Sequence, residues 1–243
     1  MATIAIYSMK GGVGKTTLAV NLAWAAAVRS KRRILLWDLD GQAAASFILA
    51  HDRPAHDEAR AVIEKDVAPE KLIVETGVPL LDLLPADASL RTLDTLFDGI
   101  DRKKRIRKLT EHLGQRYDHV ILDCPPGLGP TSEQVIRGAA IILSPMIPSA
   151  LSRRAFDEVR QHLLRHHKGG PPLIPLFNMV DRRRAAHRAA VEENPDFPAI
   201  PMASAVEQMA TRRGAIGAYL PKSPAAVATD ALWIAIEKRL AER

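Results

Sequence analysis

Residues 3–17 read TIAIYSMKGGVGKTT: five strand-forming residues, a seven-residue loop rich in glycine, then a lysine and two threonines. A strand that enters a Gly-rich turn and leaves it as a helix aims backbone N–H groups at phosphate oxygens. The general phosphate-loop pattern, G-x-x-x-x-G-K-[ST], finds its end in Gly14-Lys15-Thr16, while Met9 stands where its first glycine would fall. The glycines still permit the tight path and the close approach. Gly11, Gly12, Val13, Gly14, Lys15, Thr16 and Thr17 are therefore the candidate phosphate cradle, with Lys15 expected at the β- and γ-phosphates and the Thr16 hydroxyl at Mg²⁺. A second lysine, Lys10, stands at the loop's entrance, where the general pattern asks for no cation.

Outward from the loop, apolar runs bounded by turn residues recur as RILLWDLD (33–40), LLDLLP (80–85), HVILD (119–123), AIILSP (140–145), PLIPLFN (172–178) and AIP (199–201). Helix-like segments lie between most of them, the clearest being TTLAVNLAWAAAVRS after the loop, Ala155 to His167, and Ser223 to Ala241. Near-continuous apolar strands alternating with helices predict an α/β fold: a mostly parallel, twisted sheet with helices on both faces. At 243 residues the chain suits one such domain over 1–243, and the Pro/Gly clusters at 125–130 and 169–172 read as loops inside it.

Lys and Arg number 34 against 28 Asp and Glu, and the resulting basic balance makes polyanions, nucleic acid first, the partners to consider. The single cysteine, Cys124, excludes an intramolecular disulfide and any Cys-pair metal site. No apolar run approaches a membrane span and no basic-then-apolar leader opens the chain, so a cytoplasmic protein is expected.

The stretch KGGVGKTT (10–17) resembles the deviant Walker A motif of the ParA/MinD group of P-loop ATPases. The resemblance implies that Lys10 acts in trans, crossing to a partner subunit's phosphates in an ATP-bound homodimer. WDLDGQAA (37–44) is similar to the family's switch I, which implies that Asp40 orients the attacking water and lies near the metal; Asp38 sits beside it. Gly41 replaces the family's Pro and Ala43 its Gly, a pattern that predicts a looser switch. YDHVILDCPPGLG (117–129) is similar to Walker B and switch II, so Asp123 is expected to hold a Mg²⁺-bound water, while Cys124 packs in the core. Asn178 matches the position whose amide reads adenine, and Pro201 and Met202 fall where backbone groups flank the base.

Within the group, branches that depend on paired cysteines are disfavoured by the lone Cys124, and those with a C-terminal tyrosine cluster by the placement of Tyr7, Tyr117 and Tyr219. A ParA-like protein would bind double-stranded DNA non-specifically through basic side chains. Between 151 and 213 eleven Lys/Arg face seven Asp/Glu, and Arg153, Arg154, Arg182, Arg183, Arg184, Arg188, Arg212 and Arg213 are the DNA-binding candidates. RKKRIRK (102–108) is a further basic stretch. The alternative is a MinD-like protein docked on a membrane by a C-terminal amphipathic helix, but Glu237 and Glu242 dilute the basic face of DALWIAIEKRLAER (230–243), so packing on the sheet is the better expectation. The implied activity is Mg²⁺-dependent ATP hydrolysis, stimulated by a ParB-like or cargo-bound protein, that segregates or positions a cargo on the nucleoid. The phosphate loop starts so early that no upstream helix-turn-helix, and no sequence-specific DNA reading, is expected.

Overall fold

In a computed structural model, which describes residues 1–50, 59–64, 67–98 and 104–242, the apolar runs become strands of one sheet. The strands are β1 (Ala2–Ile6), β2 (Ile34–Asp38), β3 (Val74–Glu75), β4 (Leu81–Leu84), β5 (His119–Asp123), β6 (Ile141–Met146), β7 (Leu173–Val180) and β8 (Ala199–Pro201). Between them run α1 (Lys15–Arg29), α2 (Ala44–Leu49), α3 (Ala59–Glu64), α4 (Leu93–Asp98), α5 (Arg105–Leu113), α6 (Pro130–Gly138), α7 (Ala150–His166), α8 (Ala185–Glu193), α9 (Gln208–Arg212), α10 (Ile216–Tyr219) and α11 (Pro224–Ala241).

Strand order is β3-β4-β2-β5-β1-β6-β7-β8. All pairings are parallel except β3 with β4. Every residue of β2 and β6 is buried, as strands covered on both faces require. β1 lies between β5 and β6, so the order reverses there, and the loops leaving β1, β2 and β5 gather at one edge of the sheet. Such a switch point is where open α/β sheets collect ligands.

Two differences from the sequence reading have local causes. The antiparallel edge strand β3 was not expected; two residues, Val74 and Glu75, are too short to show a period. Helix α7 begins five residues earlier than the expected Ala155, because the Ser149 hydroxyl accepts from the Ser152 N–H and caps it at Ser149. Arg153 and Arg154 accordingly ride on its first turns.

One face of the sheet is covered chiefly by α1 and α11. Helix α1 is Ala-rich and buried along most of its length, so that the sheet can approach it closely. Helix α11 lays Leu232, Trp233 and Ile236 into the same core. Trp233 is fully buried, its indole N–H donates to the Ser30 hydroxyl at 2.8 Å, and its ring meets that of His119 edge-on at 5.6 Å. The Arg29–Asp230 pair, at 2.9 Å, ties α1 to α11 at the rim, and Arg32–Glu237, at 2.6 Å, ties the turn after α1 to α11. The apolar stripe of α11 is thus spent on packing, as expected. No helix among the described residues is long and apolar enough to cross a membrane. On the opposite face, Ile106 and Leu109 of α5, Val135 and Ile136 of α6, and Val159 and Leu163 of α7 close the second core.

Truncating Trp233 would leave a cavity between α1, α11 and the sheet. Trp233→Ala is expected to cost about 3–5 kcal/mol in urea unfolding. A loss under about 1 kcal/mol, of the size seen for exposed sites, would mean that α11 is not a packed member of the fold.

Candidate nucleotide site

The phosphate loop leaves the end of β1 and enters α1 through Gly14, whose φ of +83° lies in the left-handed region. A side chain there would also run into the Asn178 amide and the Met179 side chain. Position 14 therefore needs glycine for two separate reasons. The Asn178 amide N–H donates to the Val13 carbonyl at 2.9 Å and pins the loop's crest to β7.

The two lysines have different surroundings. Lys15 is buried at 7% exposure, and its ammonium donates to the Lys10 carbonyl at 3.3 Å. Burial lowers its pKa, against the pull of Asp123, Cys124 and Asp40. Lys10, half-buried, extends away instead and donates through Nζ to the Ser152 hydroxyl on α7 at 3.2 Å.

Two carboxylates end neighbouring strands, since Asp38 of β2 and Asp123 of β5 are partners in the strand register. Both are fully buried. Asp38 is satisfied: its oxygens accept from the Asp40 N–H at 3.1 Å and from the Ser46 N–H and hydroxyl at 2.9 and 2.8 Å. Desolvation still pushes its pKa up to about 6. Neither oxygen of Asp123 has a hydrogen-bond partner among the described residues. Burial and then the charge of Asp38 raise its pKa well above the carboxylate range, while the nearby Thr16 hydroxyl and Lys15 act the other way. Cys124 beside it is buried, with its thiol pushed up first by burial and then by Asp123, so it packs rather than reacts.

The flanking loops close on this centre. Leu39 N–H donates to the Asp123 carbonyl at 2.9 Å. Asp40, half-buried, accepts the Gln42 N–H at 2.9 Å and makes a tight turn into α2. Ala43 at the start of α2 has φ +54°, a conformation that costs a residue with a Cβ about 1–2 kcal/mol. A Cβ at Gly41 would lie 2.8 Å from the Arg91 backbone nitrogen. The position thus admits the turn 88–92 against this loop, and Gly41 is a packing contact rather than a point of slack. Across the site, the Tyr7 hydroxyl donates to the Gly127 carbonyl at 2.8 Å and the Gly127 N–H to the Met9 carbonyl at 3.0 Å, which joins the loop after β5 to the phosphate loop.

A family model for the AAA domain matches residues 1–167. Sporulation initiation inhibitor protein Soj of Bacillus subtilis is 34% identical over 196 residues, 78% of this chain and 77% of Soj. Chromosome partitioning protein ParA of Myxococcus xanthus is 34% identical over 197 residues, 78% of this chain and 69% of that protein. The chain belongs to the ParA/MinD family of P-loop ATPases. Among solved structures, cobyrinic acid a,c-diamide synthase of Mycobacterium smegmatis with a bound ATP analogue and magnesium has a TM-score of 0.81 at 25% identity, over 99% of this chain and 95% of that one.

In this ParA/MinD-family chain, a cavity of about 260 Å³ opens beside the phosphate loop, lined by Thr17, Asn21, Asn178, Met179, Pro201 and Met202 among others. It brings together the three residues expected around the base. Two of their groups are already engaged: one Asn178 N–H on Val13, and the Met202 N–H on the Val180 carbonyl at 3.0 Å.

Of the arginine candidates, Arg182, Arg183, Arg184 and Arg188 share the turn from β7 into α8, and Arg153 donates to Asn194 at the end of α8 at 3.0 Å; most of the eight are engaged within the protein. Arg153 and Arg154 pair with Asp157 and Glu158 on α7, at 3.5 and 3.0 Å. Arg183 is held bidentately by Asp181, at 2.9 and 3.0 Å, which lowers the Asp181 pKa to about 2. Arg188 donates to the Arg182 and Arg183 carbonyls and shapes that turn. Arg212 lies over the Tyr219 ring, and Arg213 over Phe47 of α2. Arg182 and Arg184 have no side-chain hydrogen bond or ion pair among the described residues. Of the stretch 102–108, Arg102 and Lys103 lie outside the described residues, and Arg105 is committed to the Val62 and Ile63 carbonyls.

Sequence reasoning missed Ser152, which receives Lys10, and Ser46, which satisfies Asp38. It also missed Asp94, which accepts the Thr131 N–H at 2.9 Å and anchors the start of α6. Ser152 and Asp94 act across 142 and 37 residues, and Ser46, eight residues from Asp38, carries no pattern that marks its role.

An unpartnered carboxylate in the core opposes folding when ionised. Its folded pKa is raised, so the folded state binds the proton more tightly, and stability falls as pH rises from the unfolded carboxylate range through the folded pKa. Asp123→Asn, without nucleotide or metal, is therefore expected to be more stable than wild type at neutral pH by about 1–3 kcal/mol. The advantage should vanish in acid, below the unfolded pKa. Equal thermal midpoints at neutral pH would show that Asp123 carries no such penalty.

Proposed function

We propose that the chain is a ParA-type positioning ATPase: ATP and Mg²⁺ bind at the loop 8–17, two protomers close face to face over the nucleotides, and the dimer holds DNA non-specifically until hydrolysis releases it. The observation that carries this reading is the unequal placement of the two lysines. Lys15 sits inside its own loop, whereas Lys10 reaches out to a hydroxyl on α7 and is free to change partner when a second subunit presents its phosphates. A cation added from across an interface stabilises the nucleotide only in the dimer, and so couples ATP to association.

The remaining roles follow from the surroundings of each group. Backbone N–H groups of residues 11–16 would cradle the phosphates, and Lys15 would exchange its Lys10 carbonyl for phosphate oxygen. The two orphaned oxygens of Asp123, near the Thr16 hydroxyl, are acceptors without donors, which suits a hydrated divalent cation. When bound, that ion would offset the charge of the β- and γ-phosphates. Asp40, on the half-buried turn facing this centre, would position the water for in-line attack. Asn178, with Oδ1 making no hydrogen bond among the described residues, retains an acceptor for the exocyclic amine of adenine. Residues 1–243 would act as one unit, and a cargo-bound protein would stimulate hydrolysis.

For DNA, Arg182 and Arg184 are the side chains least committed to the protein itself, and we assign the phosphate contact to them. The chromosome partitioning protein ParA of Myxococcus xanthus is the relative that supports a partition or positioning role.

Two experiments test the reading. With saturating ATP and Mg²⁺, Asp40→Ala should accumulate as a dimer in size-exclusion chromatography with light scattering, and adding Lys10→Ala should return it to monomer. A monomeric Asp40→Ala protein, or wild-type turnover by it, would sink the dimer switch. Replacing Arg182 and Arg184 by Ala should weaken binding to every DNA sequence alike, and should reduce the salt slope of log K by roughly 0.9 for each lost contact. An unchanged slope would return both arginines to the solvated surface.

A further inference from the structure

Outside the nucleotide site, Glu133 on the first turn of α6 meets two histidines at the C-terminal end of α7. His162 Nε2 lies 2.5 Å from Glu133 Oε1, and His167 Nε2 lies 3.0 Å from Oε2. The nearest ligating atoms of the three residues are all within 4.8 Å of one another. The cluster is sheltered, with His167 at 6% side-chain exposure, His162 at 21% and Glu133 at 29%.

We propose that Glu133, His162 and His167 form a binding site for a divalent transition-metal ion of the zinc type, with two imidazole nitrogens, one carboxylate and a fourth position left to solvent. The donor set decides the metal class. Two imidazoles with a carboxylate suit Zn²⁺, Co²⁺, Ni²⁺ and Cu²⁺, whereas Mg²⁺ prefers oxygen ligands alone. Both histidines already turn Nε2 toward the same carboxylate, so an ion could replace the two shared hydrogen bonds without a change in which nitrogen faces inward.

The backbone under each ligand is held. The Glu133 N–H donates to the Gly129 carbonyl at 3.1 Å, and the His167 N–H to Leu163 at 2.9 Å. The Gly170 N–H donates to the His167 carbonyl at 2.8 Å. On α7, Val159 and Leu163 are buried and fix the helix face that carries His162. Ligands on fixed backbone lose little order when an ion binds.

One competitor is present. Arg137, one turn along α6, donates to Glu133 Oε2 at 3.1 Å. Its side chain is 40% exposed and can swing into solvent when an ion takes its place. The His166 ring lies against His162, 4.8 Å between centroids and tilted by 42°, but it is exposed and makes no hydrogen bond or ion pair with Glu133. An ion bound as proposed would cross-link the helix that follows the loop 124–129 to the helix whose first turn receives Lys10.

The test uses the full chain without an affinity tag, titrated with Zn²⁺ alone by calorimetry and with Co²⁺ by visible absorption. One ion per chain is expected, with the intense ligand-field absorption of a four-coordinate centre. His162→Gln combined with His167→Gln should weaken Zn²⁺ binding at least about tenfold. Arg137→Ala, which removes the competing cation and leaves all three ligands, should tighten it. His166→Gln should leave it unchanged, as should excess Mg²⁺. The proposal is overturned if wild type binds Zn²⁺ no more tightly than the double variant, or if Co²⁺ gives only the weak spectrum of a six-coordinate ion. Loss of binding in His166→Gln with retention in His167→Gln would also overturn it, because the ion would then sit on the i, i+4 pair His162 and His166 of α7.

Discussion

Two carboxylates side by side in a dry interior are the constraint around which this molecule is arranged. Asp38 and Asp123 end adjacent parallel strands in matched register, both without solvent. Charge in such a place must be paired, hydrogen-bonded or neutralised. The chain resolves the two differently. Asp38 is wrapped by the Asp40 N–H and by both donors of Ser46, and in being satisfied it fixes the turn that presents Asp40. Asp123 has no donor within hydrogen-bond distance among the described residues, although the Thr16 hydroxyl is near. One acid therefore serves the fold, and the other is kept in a state that a bound cation would relieve.

The surrounding loops inherit their positions from that centre. β1 lies next to β5, so the phosphate loop emerges beside Asp123, and Lys15 enters the same low-dielectric space. Tyr7 and Met9 then hold the loop after β5 through Gly127, and Asn178 holds the crest of the phosphate loop through Val13. Segments far apart in sequence are thereby joined by single hydrogen bonds, each worth about 1 kcal/mol.

The surplus positive charge is largely engaged within the protein. Most of the candidate arginines are engaged by a neighbouring acid, a carbonyl or a ring, as with Arg183 on Asp181 and Arg213 on Phe47. A basic composition therefore overstates the number of cations left for a polyanion. Arg182 and Arg184, on the turn between β7 and α8, are the exceptions on which the DNA reading rests.

The seven strands expected from apolar runs all form; the phosphate loop follows the end of β1, Asp123 ends β5, and Asp40 lies two residues beyond the end of β2. Period and turn chemistry are local, so they can be read along the chain. The two-residue strand β3 and the early start of α7 at Ser149 were not legible, the first for want of length and the second because one serine decides the cap. What the linear order could not contain is partnership: that Lys10 meets Ser152, that Asp38 has Ser46 while Asp123 has no donor within hydrogen-bond distance among the described residues, and that Glu133 meets His162 and His167. The sequence by itself determined the fold class and the types of group at each strand end. Tertiary structure decided which of those groups are satisfied and which stay available, because burial and hydrogen-bond geometry depend on residues brought close only by folding.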